Sequence, residues 1–159
     1  MSDYPEVGKE FPDFELMDQN ENIVKLSSFR GKNVILYFYP KDNTKGCSSE
    51  ACDFRDRLDF FEKENCIVLG VSPDNLKSHQ RFSSKYDLNF PLLIDEEHKF
   101  AELVATWSLK KNYGREYYGI VRTTFVIDSD GILRQIYKKV RVKEHVEKVL
   151  EYVRENLNN

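Results

Sequence analysis

Six consecutive aliphatic and aromatic residues, Val34, Ile35, Leu36, Tyr37, Phe38 and Tyr39, stop abruptly at Pro40. An apolar run of this length reads as a strand buried on both faces. Within a dozen residues the period changes. Ala51, Phe54, Leu58 and Phe61 recur at spacings of 3, 4 and 3, the single apolar stripe of a helix over residues 48–65. A second apolar run, residues 66–71, follows. Strand, helix and strand at these lengths make a βαβ unit with parallel strands, which holds the chain to an α/β architecture.

The rest of the chain extends that unit. Ser72, Pro73 and Asp74 turn into a second helix over residues 75–86, then a short strand at 91–94 and a helix at 96–105. Residues 107–118 read as a loop. A strand at 121–127, a turn over Asp128, Ser129, Asp130 and Gly131, and a returning strand at 132–140 form a hairpin. The last helix, residues 143–157, buries Val146, Val149, Leu150, Val153 and Leu157. Residues 14–25 add a small N-terminal hairpin around Gln19 and Asn20. The order predicts a thioredoxin-like α/β fold: a central mixed sheet, helices on both faces and an N-terminal β-hairpin extension. The 159 residues make one domain, 1–159, large enough to bury a core without disulfides or metals.

Charge excludes some functions. A net charge of −3 gives no general attraction to nucleic acid or to an anionic membrane. The one basic cluster, Lys138, Lys139, Arg141 and Lys143, is explained as a solvated strand end. Residues 1–10 lack the apolar core of a signal peptide, and the run ending at Tyr39 is far too short to span a bilayer. The expected location is cytoplasmic. Three cysteines, an odd number, do not make a secreted disulfide framework.

Cys47 lies where the buried strand gives way to the helix. Free amide groups and the helix dipole favour an anion at that position, so they favour thiolate over thiol. On the helical wheel Cys47 falls at the centre of the stripe of Ala51, Phe54, Leu58 and Phe61, so its sulfur points into the protein. Cys52 lies about 140° round the helix, on a face with Asp56, Asp59 and Lys63. Residues five apart on an ideal helix have Cα atoms about 8.7 Å apart, and a disulfide needs about 7 Å or less. Joining the two thiols therefore requires unwinding the first turn or two. Cys66, at a strand start, reads as a small buried hydrophobe. His79, His98 and His145 are scattered among polar residues and read as surface side chains. A zinc site would need two ligands beyond Cys47 and Cys52, and none is evident.

Pro40, Thr44 and Cys47 fit P-x3-T-x2-C, which resembles the active-site signature of peroxiredoxins. Residues 37–56 resemble the peroxiredoxin Q subfamily, also called bacterioferritin comigratory protein, which often carries a second cysteine five residues after the first, as Cys52 does. Residues 69–74 and 122–128 agree, as do Tyr113, Gly114, Arg115, Gly119 and Ile120. Position 45 departs from the pattern: it is Lys where the subfamily usually has Pro, which is expected to loosen the first helical turn.

The resemblance implies a thiol peroxidase acting on hydrogen peroxide and organic hydroperoxides. Cys47 would be the peroxidatic nucleophile and Cys52 the resolving thiol. Thr44 would hydrogen-bond the sulfur and the peroxide. Arg122 would stabilise the thiolate and the developing charge, Pro40 would shape the pocket, Glu50 would orient the arginine, and the amides of Gly46 and Cys47 would add donors. Trp107 and Tyr39 read as packing residues. Thioredoxin or a glutaredoxin would recycle the disulfide. No cofactor or metal is needed, and an internal resolving cysteine permits a monomer or weak homodimer. Two rivals differ in class. A general disulfide oxidoreductase would carry C-x-x-C and a proline before the late strand, where this chain has C-x4-C and Val121, Arg122 and Thr123. A non-enzymatic redox sensor would be oxidised without turnover.

Overall fold

A computed structural model describes residues 4–157. The apolar run becomes β3 (Asn33–Phe38), and every one of its residues is buried. Side chains alternate along it. Val34, Leu36 and Phe38 enter one core with Phe11, Leu26, Phe100 and Phe125, while Ile35, Tyr37 and Tyr39 enter the other with Cys47, Phe54, Phe82 and Val149. β3 pairs in parallel with β4 (Cys66–Ser72), and β4 with β5 (Leu92–Ile94). On its other side β3 pairs antiparallel with β8 (Thr123–Ile127), and β8 with β9 (Leu133–Tyr137). The mixed sheet has the order β5-β4-β3-β8-β9.

Helices α1 (Lys45–Lys63), α2 (Leu76–Lys85) and α4 (His145–Asn156) cover one face. The other face is closed by α3 (Lys99–Leu103), the N-terminal segment with Phe11 and Phe14, and a 3-10 turn at Leu26–Phe29. The N-terminal hairpin is β1 (Glu15–Met17) with β2 (Ile23–Lys25). Among the described residues no helix is long and apolar enough to cross a membrane.

Of the boundaries that differ from expectation, three do so for identifiable reasons. α1 starts at Lys45, three residues earlier than the apolar stripe indicates, because Gly46 and Ser48 carry no apolar signal. α3 is one turn only: the buried Asp95 carboxylate accepts from the amides of Phe100 and Ala101, and His98 sits at φ 51°, so the helix starts after both. Residues 107–118 are not a loop. They lie within a two-stranded ribbon, β6 (Trp107–Asn112) with β7 (Arg115–Ile120), turned at Tyr113 and Gly114, whose φ values of 51° and 75° suit a two-residue hairpin turn.

Gly70 has a packing role. It lies opposite Tyr37 in the β3–β4 register, and a Cβ there would meet the Tyr37 ring and hydroxyl at 3.0 Å. The bare backbone leaves room for Tyr37 to stack on Phe54 of α1 at 4.6 Å, directly beneath the helix that carries Cys47.

Candidate active site

Cys47 occupies the first turn of α1 and is 1% exposed. Thr44 holds the N-cap position in extended conformation, φ −97° and ψ 158°, without a side-chain cap bond. The first helical bond runs from Ser48 N–H to the Thr44 carbonyl at 2.8 Å. The amides of residues 45–47 thus have no acceptor inside the helix, and no acidic side chain lies in the first turn. An anion at the Cys47 sulfur meets the positive end of the helix.

The second half of the site comes from a distant strand. Arg122 immediately precedes β8, whose Thr123 pairs with Phe38 at the end of β3. That register carries the guanidinium to the helix terminus. Arg122 Nη2 lies 3.3 Å from Cys47 Sγ, and Nη1 donates to Glu50 Oε1 at 2.6 Å. Glu50 is three residues beyond Cys47, on the same face of α1, and fully buried. Gly46 completes the fit, since a Cβ there would lie 3.2 Å from Arg122 Nη2.

The electrostatics follow from burial. Burial pushes the Glu50 carboxyl up to about 7, with the adjacent guanidinium acting in the opposite direction. Glu50 Oε2 is buried without a hydrogen-bond partner. Burial disfavours the Arg122 cation, but the charges of Glu50 and Cys47 outweigh it and hold its pKa above the usual value. Arg122 is therefore a permanent cation, bidentate between sulfur and carboxylate.

The other expected residues are placed less uniformly. Pro40 is half-buried where β3 runs into the 40–44 loop. Thr44 is exposed, and its hydroxyl donates to the Lys41 carbonyl at 3.1 Å. The expected bond from Thr44 to sulfur is thus not formed in this state, because the nearer backbone carbonyl takes the proton. Cys52 is half-buried on the second turn, and burial raises its thiol pKa. Cys47 and Cys52 are both free thiols on one unbroken helix. Cys66 is buried and pushed up to about 12, the behaviour of an unreactive packing residue.

The reading of the histidines needs correction. His79 is 0% exposed and His145 is 5% exposed, so neither is a surface side chain. His145 bonds Thr124 Oγ1 at 2.8 Å and is pushed down to about 4 by burial, with the charges of Arg122 and Lys148 adding to it. His98 alone is partly exposed, stacked on Trp107 at 3.8 Å. A helical stripe of Leu76, His79, Phe82 and Tyr86 would have placed His79 on the inner face, but its polar neighbours Ser78 and Gln80 mask it. The ribbon also adds Lys110. Its ammonium donates to the Ile120 carbonyl at 2.9 Å, and burial, then Arg122, lowers its pKa while the Cys47 charge opposes them.

A thiol at an open helix terminus with a half-buried arginine on its sulfur is arranged to attack small electrophiles as a nucleophile. Comparison with known proteins agrees. Residues 7–136 match the AhpC/TSA family, and the chain belongs to that family of peroxiredoxins, thiol-dependent peroxidases that reduce peroxides. Within it the chain groups with the Bcp and peroxiredoxin Q proteins. It is 48% identical to peroxiredoxin Bcp of Bacillus subtilis over 150 residues, 94% of this chain and 96% of the relative. The fold matches the bacterioferritin comigratory protein of Xanthomonas campestris, studied for alkyl peroxide reduction, with a TM-score of 0.88 at 33% identity over 94% of this chain and 98% of that one. A Cys-to-Ser mutant of Xylella fastidiosa peroxiredoxin Q matches with a TM-score of 0.90 at 33% identity, covering 94% and 96%.

Proposed function

We propose that Cys47 is the peroxidatic nucleophile of this peroxidase and Cys52 its resolving thiol. The carrying observation is the 3.3 Å contact of Arg122 Nη2 with Cys47 Sγ at the open end of α1. The thiolate attacks one peroxide oxygen. The S–O bond forms as the O–O bond breaks, the second oxygen leaves as water or alcohol with a proton, and Cys47 becomes a sulfenic acid. The Cys52 thiol then displaces water from that sulfur to form a disulfide. A dithiol protein, thioredoxin or a glutaredoxin, takes up the oxidation by exchange.

Magnitudes divide the work. A free thiol is a few per cent thiolate near neutral pH, so full ionisation gains a little over tenfold, about 1.5 kcal/mol. Enzymes supply about 8 kcal/mol or more, and nucleophilicity falls as a thiol becomes more acidic. Most of the acceleration must come from donors that grip the stretching O–O bond. Arg122 and the amides of Gly46 and Cys47 are those donors. Glu50 holds Arg122 in register. Pro40 walls the pocket. Thr44, already donating to Lys41, accepts the peroxide hydrogen through its oxygen.

Organic hydroperoxides join hydrogen peroxide as substrates, by analogy with the Xanthomonas relative. Because the disulfide must be reduced each cycle, a reducing compartment such as the cytoplasm suits the cycle, and resolution within one chain lets a monomer or weak dimer turn over. The test is steady-state peroxide consumption with a thioredoxin system. Cys47→Ser and Cys52→Ser should both lose turnover, with Cys52→Ser still consuming about one equivalent. Unchanged turnover in Cys47→Ser defeats the proposal.

A further inference from the structure

The loop between β3 and α1 carries Pro40 and Thr44 and delivers Cys47. It is held from one side by residues outside the expected catalytic set. Asp42, 6% exposed, accepts from the Tyr39 hydroxyl on Oδ1 at 2.6 Å. On Oδ2 it accepts from the Ser78 hydroxyl at 2.8 Å and meets His79 Nδ1 at 2.7 Å. Its own amide donates to Asp74 Oδ2 at 2.8 Å, and that oxygen also accepts from the Ser72 hydroxyl at 2.7 Å. Next in the loop, Asn43 at φ 59° accepts from Lys85 Nζ and Tyr86 O–H at 3.1 and 3.2 Å.

His79 decides what this network is. Its Nε2 lies 2.8 Å from the Leu93 carbonyl, an oxygen that can only accept, and its Nδ1 faces a carboxylate. Both Asp42 oxygens accept from hydroxyls, and His79 bridges the Asp42 carboxyl to the Leu93 carbonyl, so the two side chains are joined by a buried hydrogen bond that ties the loop to the sheet. The ligand atoms of Asp42, Asp74 and His79 lie within 4.8 Å of one another, as a cation site's would. Here each of them is already engaged by a proton donor or, for His79, an acceptor, so the cluster is bridged by protons.

We propose that Asp42 and His79 are positioning residues for peroxide reduction: their hydrogen bond fastens the Pro40–Thr44 loop to α2 and β5, and so sets the geometry in which peroxide meets Cys47. The inference rests on Cys47 being the peroxidatic thiol. Asp42 and His79 need touch neither substrate nor sulfur. Their effect falls on the reduced protein's reaction with peroxide, and not on reduction of the finished disulfide, in which Cys47 no longer has to meet peroxide.

The test is stopped-flow oxidation by hydrogen peroxide, followed by the fluorescence of Trp107, the only tryptophan, beside dithiothreitol reduction of the preformed disulfide. Asp42→Asn and His79→Gln should slow oxidation by about 10- to 100-fold, as a misplaced reacting group does, and leave disulfide reduction within about twofold. If those variants do not fold, Tyr39→Phe with Ser78→Ala removes two donors to Asp42 and keeps the rings, and oxidation should still slow by several-fold. Unchanged oxidation in folded variants overturns the proposal. Cys47→Ser separates the two readings. If it still reduces peroxide, both fall; if it is dead while Asp42→Asn is unimpaired, only the role of the Asp42–His79 pair falls.

Discussion

The two ends of α1 are held in different ways. The C-terminal half is pinned by packing and by side-chain bonds to its neighbours. Phe54 and Phe61 are fully buried, Arg57 reaches Glu147 of α4 at 2.6 Å, and Arg55 Nη1 donates to the Tyr86 carbonyl past the end of α2 at 2.6 Å. The first two turns contain Gly46, Ser48 and Ser49 and no side-chain cap, and Arg122 ties them through Cys47 and Glu50. That tie depends on sulfur chemistry. In the proposed cycle, oxidation of Cys47 would change the sulfur that Arg122 contacts, and the end of the helix expected to unwind for Cys52 would lose part of its anchor.

The sharpest way to break this contrast is to cut each end in turn. Phe54→Ala removes the ring stacked on Tyr37 at 4.6 Å and close to Phe61 and Phe90, and should cost about 3–5 kcal/mol of global stability in urea unfolding. Ser48→Ala, in the first turn, should cost under about 0.5 kcal/mol. Equal costs would show that the two ends are not energetically distinct. Arg122→Gln should lower the rate of oxidation by peroxide about 10²- to 10³-fold, the loss seen when one transition-state donor is removed. Its unfolding free energy should change far less than that of Phe54→Ala.

The platform was legible in the sequence and the site only in part. β3 and the α1 stripe are read directly because burial enforces a period, and a wrong residue at Leu36 or Phe54 would disrupt a core. Cys47 stands out at the junction of that strand and helix, the stripe gives the direction of its sulfur, and its burial agrees with that direction. The β6–β7 ribbon escaped because seven of its twelve residues are exposed, so neither face imposes alternation; only Gly114 marked the turn. Asp42 escaped for the opposite reason: it is buried, but its partners lie across the fold and leave no trace in local pattern, while His79 lies on a helical stripe that its polar neighbours mask. Arg122 was found through resemblance alone: nothing in its neighbours shows that β8 lies beside β3.

Glu50 sharpens the comparison through pH. Its carboxyl is raised from 4.5 to about 7, so the folded state binds this proton more tightly than the unfolded chain does. The sign is that of a raised acid. The stability associated with the neutral form is full below about 4.5 and is lost as pH rises through about 7, a span worth about 3 kcal/mol. In the proposed mechanism function runs the other way, because the ionised carboxylate is the form that would anchor Arg122. Oxidation by peroxide should therefore rise through an apparent pKa near 7, and Glu50→Gln should flatten both that limb and the fall in stability. A limb that survives in Glu50→Gln belongs to another group.

The smallest expected effect is the most specific to this chain. Lys45 is the first residue of α1, where the amide has no helical acceptor and a proline would forfeit nothing. Thr44 before it is extended, with φ −97° and ψ 158°, the conformation a following proline demands. Lys45→Pro should therefore fit without strain and stabilise the fold by about 0.4–1 kcal/mol by restricting the unfolded chain. Because the benefit is confined to the turn that must open, it should slow disulfide formation between Cys47 and Cys52 by about two- to fivefold, the rate equivalent of that energy. Amide exchange gives the check. In the wild type, oxidation should remove protection across residues 47–53 and leave 54–63 protected. In Lys45→Pro the reduced protein should protect 48–50 more strongly. If disulfide formation is unchanged while that protection rises, opening of the first turns does not limit resolution, and the contrast between the two ends of α1 is structural without being kinetic.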